Sequence, residues 1–276
     1  MTLAPAVIDC HVHFWEAERP HRPHEPLGYH MDGNPLTVEL MIAAMDAAGV
    51  RHAIQVTPSL MGYDNRYGIE AAGKYPDRFR VLARFDATAS DPRGRLKALL
   101  SEPAVVGVRV LAPPFVLTDS TLEPFWDAAE ALDARVALFA PNQPREISRI
   151  AQAHEGMTLI VDHFALANFD AVTSFEHWPE VMRLARHTNI VMKLSGLPEA
   201  IDEPYPSKRV LRHTQEAFTT FGPDRLMWGS NYPPVRKWCG YRETLAYIEE
   251  EASFISPGDR AMILAGTASR VFRLPW

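Results

Sequence analysis

Among 276 residues there are two cysteines, Cys10 and Cys239. Two cysteines make no disulfide framework, so the chain reads as a protein of a reducing compartment, and a cytoplasmic location is expected. No apolar run is long enough to span a membrane. The opening Met1-Thr2-Leu3-Ala4-Pro5 lacks the charged-then-apolar pattern of a secretory signal. No run of lysine and arginine stands out, and a formal charge of -6 gives no basic field for nucleic acid. No glycine-rich phosphate loop follows the first apolar stretch, which argues against a nucleotide-binding fold. No linker or shift of composition divides the chain, so residues 1–276 are expected to form one domain. Nothing in the composition sets an oligomeric state. What is left is a chain of ordinary globular composition, long enough to bury a sizeable core.

The stretch that organises the rest is Val7-Ile8-Asp9-Cys10-His11-Val12-His13. In a strand, residues two apart share a face, so His11 and His13 point the same way and Val12 the other. Two imidazoles side by side start a metal site, an acid/base site or a plain hydrogen-bonded pair. A long loop, 14–35, follows, with Pro20, Pro23, Pro26 and Pro35 and three more histidines, His21, His24 and His30. Those histidines either line a site or are solvated loop side chains.

Beyond the loop, short apolar runs alternate with helical patterns. Strands are expected at 52–57, 79–85, 105–110, 135–139, 157–163, 189–194 and 225–229. The helix after Thr37 has that residue as N-cap and Gly49 just past its end. Asp91-Pro92 opens another helix, and Ser120-Thr121-Leu122-Glu123 matches a capping box. Further helices are expected near 67–75, 147–153, 175–187, 208–221 and 241–250, with a last one opening at Ser256-Pro257. Eight strands, each followed by a helix, predict a parallel sheet, and this length matches a closed (β/α)8 TIM barrel. A doubly wound open sheet is the alternative.

Barrel enzymes carry their chemistry at the C-terminal ends of the strands. Those ends read His11 and His13, Gln55 and Thr57, Asp86, Arg109, His163, Lys193 and Ser195, and Ser230 and Asn231. Zinc would accept His11, His13 and His163 and keep an open position for water; the alternative is that the three histidines meet substrate oxygens with no metal. Arg109 and Lys193 suit a carboxylated small-molecule substrate, or else close the barrel mouth as ion pairs with Asp86 or another acid. Tyr63, Asp64 and Asn65 follow strand two and could orient substrate. Asp162 precedes His163 and by alternation is expected to face away, in a structural role.

Six stretches together resemble the amidohydrolase superfamily. They are Asp9-Cys10-His11-Val12-His13-Phe14, Pro58-Ser59-Leu60-Met61-Gly62-Tyr63-Asp64-Asn65, Gly107-Val108-Arg109, Val161-Asp162-His163, Lys193-Leu194-Ser195-Gly196 and Arg225-Leu226-Met227-Trp228-Gly229-Ser230-Asn231-Tyr232-Pro233. The last five narrow the resemblance to the amidohydrolase-2 branch, which includes lactone hydrolases. The resemblance spans essentially the whole chain. It implies a (β/α)8 barrel that hydrolyses a ring ester, usually on carboxylated substrates. It also implies that His11, His13 and His163 are catalytic, with a divalent metal (zinc or manganese) in some members and none in others.

One position departs from the pattern. The family commonly reads Gly-Ser-Asp-Trp-Pro where this chain has Gly229-Ser230-Asn231-Tyr232-Pro233. An amide takes up no proton near neutral pH, so Asn231 orients rather than acts as base. Three functions follow as expectations: a lactone hydrolase, a metal-dependent decarboxylase of an aromatic or enoic acid, and a binder that has lost its base.

Overall fold

Runs such as 136–139, Val-Ala-Leu-Phe, are apolar on both faces, and only a sheet covered on both sides buries both. The structure, a computed structural model, describes residues 6–25, 34–112, 115–166 and 173–276. Its strands are β1 (Ile8–Val12), β2 (His52–Val56), β3 (Phe79–Arg84), β4 (Val105–Leu111), β5 (Arg135–Phe139), β6 (Thr158–Val161), β7 (Ile190–Leu194) and β8 (Leu226–Trp228). They pair in parallel in chain order. A parallel bridge from Val12 to Tyr232 closes the barrel between first and last strands. The expected TIM barrel is therefore present, and the open sheet is excluded.

Between the strands run α1 (Val38–Ala48), α2 (Arg66–Lys74), α3 (Pro92–Leu100), α4 (Glu123–Ala131), α5 (Pro144–Ala153) and α6 (Trp178–Arg183). Then come α7 (Leu197–Ile201), α8 (Lys208–Phe221), α9 (Tyr241–Ala246), α10 (Pro257–Ala261) and α11 (Thr267–Phe272). Thr37 caps α1 by accepting from the Leu40 N–H, and Gly49 ends it at φ 77°. Asp91 caps α3 ahead of Pro92. The expected Ser120 capping box is corrected. Asp119 takes that role, accepting from the Thr121 N–H at 2.9 Å, and 120–122 form a tight turn leading into α4. The same carboxylate oxygen accepts from the Thr121 hydroxyl at 2.8 Å, which fixes the turn one residue ahead of Ser120.

Two apolar layers hold the barrel. The outer one lies between strands and helices and includes Val12, Val81, Val108, Leu159 and Trp228. The inner one takes alternate residues, among them Ile8, Cys10, Ile54, Val56, Leu82, Ile160, Val191 and Met227, and α11 closes its floor with Ala268, Val271 and Phe272. Alternation in β1 is broken by a register shift between Asp9 and Val12. Cys10 therefore faces inward low in the barrel, while His11 and His13 turn to the mouth above it.

Gly107 marks the tightest strand contact. A Cβ there would lie 2.5 Å from the Arg135 carbonyl oxygen of β5. Gly107→Ala is expected to lose about 1–3 kcal/mol of stability through overpacking. Urea denaturation checks this; an unchanged midpoint would show that β4 and β5 separate freely.

Candidate active site

The mouth is built around a buried carboxylate. Asp162 follows the inward-facing Ile160 by two residues, so at the end of β6 it points into the barrel. Its Oδ1 lies 2.9 Å from Lys193 Nζ of β7. Its Oδ2 accepts from Arg109 Nε of β4 at 2.7 Å. His11 Nδ1 is 3.6 Å from Oδ1. Asp162 and Lys193 are fully buried, and Arg109 is nearly so. Burial alone would raise the Asp162 pKa, but the Lys193 ammonium and the Arg109 guanidinium hold it well below the usual carboxylate range.

The expectation that Asp162 faces away is thus overturned. Alternation counted from the inward Ile160 turns Asp162 in, and it is His163 that needs a special backbone. His163, Phe164 and Ala165 all adopt left-handed φ, at 51°, 57° and 52°. That turn departs from strand alternation and brings His163 to the same mouth as Asp162. Gly196, at φ 75°, makes room for it, because a Cβ there would sit 2.7 Å from His163 Cβ.

His11, His13 and His163 do converge. His11 Nε2 and His13 Nε2 are 3.2 Å apart, and the His11 and His163 ring centres are 4.5 Å apart. The hydrogen bonds fix the tautomers. Lys193 Nζ, 3.2 Å away, can only donate to His11 Nδ1. His11 then carries its proton on Nε2 and donates to His13 Nε2. His13 in turn donates from Nδ1 to the Val56 carbonyl at 2.8 Å. His163 Nδ1 meets the Ser195 hydroxyl at 2.9 Å. All three are buried, and all three are held neutral: burial, with Lys193, pushes His11 well below its usual value. Burial, with Arg109, pushes His13 to about 3. Burial does the same to His163, against the pull of Asp162.

These groups open onto a cavity lined by His13, Arg109, Leu111, Phe139, His163 and Asn231 among others. Arg109 has Nε on Asp162, which leaves the outer end of its fork for the cavity. Other sequence candidates lie elsewhere. Lys193 is closed off from solvent beneath His11 and Asp162. Gln55 is corrected as a substrate contact: with Ile54 and Val56 facing inward it faces the helices, packed over Gly68 of α2. Asn65 accepts from Thr57 Oγ1 and the Arg84 N–H and donates to the carbonyls of Tyr63 and Arg84, which uses its whole capacity as a brace. Tyr63 is half exposed, its ring beneath Arg84. His21 is exposed and His24 bonds the Glu16 carbonyl; Pro26 and His30 lie outside the described residues.

Two buried acids escaped the sequence reading. Asp9 Oδ1 accepts from the N–H groups of His11 and Ser230, tying β1 to the end of β8, and burial pushes its pKa up to about 6. Glu199 of α7 accepts from Asn231 Nδ2 at 2.9 Å, and burial pushes it up to about 7. The signal for α7 was Pro198, a residue suited to a first helical turn, directly after Gly196-Leu197.

The donors fit a divalent ion. Ligand atoms of His11, Asp162 and His163 lie within 4.8 Å of one another. The 3.2 Å between the two Nε2 atoms is also close to the spacing of two imidazoles on one tetrahedral zinc, about 3.3 Å for Zn–N near 2.0–2.1 Å. Asp162 is already shared by two fixed cations, so the imidazoles are the freer ligands.

A parallel eight-stranded barrel with histidines at the ends of β1 and β6 is the framework of a barrel hydrolase. The amidohydrolase profile (description: Amidohydrolase) matches residues 8–274, and the chain belongs to that family. It is 30% identical to an L-fucono-1,5-lactonase of Burkholderia ambifaria, over 97% of this chain and 95% of the relative. A Burkholderia multivorans amidohydrolase solved with bound zinc superposes with a TM-score of 0.80 at 23% identity, covering 98% of this chain and 100% of that one. A probable 2-pyrone-4,6-dicarboxylic acid hydrolase of Acinetobacter baumannii, solved with citric acid bound, gives 0.77 at 21%, covering 97% and 99%.

Two outcomes follow. Lys193→Met leaves Asp162 with one cation, and breaking a buried pair is expected to cost about 3–5 kcal/mol; an unfolding midpoint equal to the parent's would refute the caged carboxylate. The second concerns His163, whose pKa is about 3 folded against about 6.5 unfolded. Between those values the unfolded chain binds a proton that the folded one refuses, so stability falls as pH falls. Asp9 and Glu199 act with the opposite sign, so the comparison is between parent and His163→Gln. Going from pH 7 to pH 5, the parent should lose about 2 kcal/mol more than the variant. Urea titrations at both pH values read this, and parallel losses would contradict it.

Proposed function

We propose that this protein opens a lactone, or a similar ring ester, of a small carboxylated or sugar-derived substrate. The observation that carries the reading is the mouth: two neutral imidazoles, an amide and the outer fork of Arg109 face one cavity. The whole-length likeness to a lactonase supports it.

The residues divide the work. Arg109 presents a planar fork to a substrate carboxylate, with its Nε already fixed by Asp162. A water in the cavity attacks the ring carbonyl carbon. Its proton passes to the neutral imidazole of His163, because Asn231 takes none and the one acceptor nitrogen of His13 already faces His11. The acyl–oxygen bond then breaks, the ring oxygen takes the proton back, and an open hydroxy acid leaves. Asp162 and Lys193 keep His11 in one tautomer, and His11 orients His13. His11, His13 and His163 would hold a divalent ion such as zinc or manganese, provided that the His11 proton moves from Nε2 to Nδ1, beside Asp162 Oδ1; when bound, the ion supplies polarisation of the carbonyl and a more acidic water. A decarboxylase is the second reading. It shares the histidine set, but the relative matched over nearly its whole length is a lactonase.

The test is a pH-stat assay with L-fucono-1,5-lactone and 2-pyrone-4,6-dicarboxylate, before and after chelation, with zinc or manganese added back. Acid release from either lactone is expected. Release of carbon dioxide from an aromatic acid, with both lactones intact, would replace this reading by the second. With a carboxylated lactone, Arg109→Met should lower kcat/KM at least tenfold, for a charge-assisted bidentate contact worth roughly 1.5–3 kcal/mol. Unchanged kinetics in a folded variant would remove Arg109 from the substrate site.

A further inference from the structure

Asn231 ends β8 at φ 55°. Its backbone N–H donates to the His11 carbonyl at 2.9 Å, and its side chain lines the cavity beside His13, Arg109 and His163. An amide has two unlike ends, one donor and one acceptor. Which end faces the cavity depends on what holds the other. Here Nδ2 donates to Glu199 Oε1 at 2.9 Å, so Oδ1 is the end left free.

Glu199 is fully buried. Among the described residues Asn231 is its one side-chain partner, and its Oε2 has no hydrogen-bond partner. A carboxyl so poorly satisfied weakens the fold, and an apolar residue of similar volume would pack better. Its position depends on Gly196, whose missing Cβ lets the turn between β7 and α7 lie against His163. That turn carries Glu199 to Asn231.

We infer that Glu199 is a positioning residue that fixes the Asn231 amide with its carbonyl oxygen toward the cavity, where that oxygen holds the attacking water. Two side chains thus divide what one aspartate at the end of β8 would do alone. Asn231 supplies the oxygen, and Glu199 supplies the acceptor that aims it. The proton still leaves to an imidazole. The chemistry of this inference rests on the lactone-hydrolysis reading above; its geometry does not.

The experiment compares the full-length parent with E199M and with E199Q/N231D, which exchanges carboxyl and amide across the same contact. With the lactone that the parent opens, E199M should lower kcat at least tenfold while KM stays within twofold. E199Q/N231D should recover at least tenfold over E199M and also exceed E199M/N231D, in which the aspartate has no partner, a coupling that a merely structural Glu199 would not give. A folded E199M with the parent's kcat overturns the inference, as does a folded swap variant no faster than E199M. A second readout needs no substrate. The Asn231 side-chain amide, identified by its loss in N231S, should show one proton shifted downfield and slow to exchange in the parent, and should move upfield in E199Q. If the parent opens no lactone, the functional reading fails, and this NMR signal alone decides the inference: an Asn231 amide that exchanges freely or ignores E199Q overturns it.

Discussion

Everything at the mouth depends on one buried anion. Asp162 is an ionised carboxylate with no access to water, and such a group survives only if cations and hydrogen bonds replace the water it lost. Lys193 and Arg109 supply that replacement, the first from β7 next to it and the second from β4, two strands away in the barrel order. The cage therefore joins β4, β6 and β7 at their C-terminal ends, where the parallel ladder has finished and backbone bonds no longer set positions. Each partner gains a fixed direction from it. Arg109 must present the far side of its guanidinium to the cavity, and Lys193 must aim its remaining donors at His11.

The histidines are neutral as a consequence. Two cations stand close to them, and burial removes the solvent that would stabilise a third. Neutral imidazoles at neutral pH are acceptors, whether of a proton from water or of a metal ion. The site is thus electrostatically prepared for a nucleophile rather than for an acid. Asn231, with no charge of its own, preserves this balance in a way that another carboxylate would not.

Much of this was legible in the sequence, and the failures have local causes. His11 and His13 were readable because spacing of two in a strand is a reliable geometry, even though the register shift in β1 decides which way they face. The eight-fold alternation is readable because the strands are short, mostly apolar runs separated by helical patterns. His163 reaches the mouth for another reason than alternation: counted from the inward Ile160, alternation puts Asp162 inward, and three left-handed residues bring His163 to the same side. Non-glycine residues in that conformation leave no mark in a pattern of apolar positions. Gln55 was misplaced by counting it as a strand end without asking which face Ile54 and Val56 occupy. Glu199 was missed because its helix is five residues long, too short for any periodicity.

The closure of the barrel bears on how the protein loses function. Seven strand pairs are parallel ladders, two of them with a register shift, but β1 and the end of β8 meet through the Asn231 and His13 N–H bonds and the Asp9 clasp on Ser230. That seam is also where His11, His13 and Asn231 stand. On warming, the barrel has a natural place to unzip, and a fluctuation too small to expose the hydrophobic interior would already part the reacting groups. Heat inactivation would then precede melting, and a lactone held across the seam would act as a staple against both.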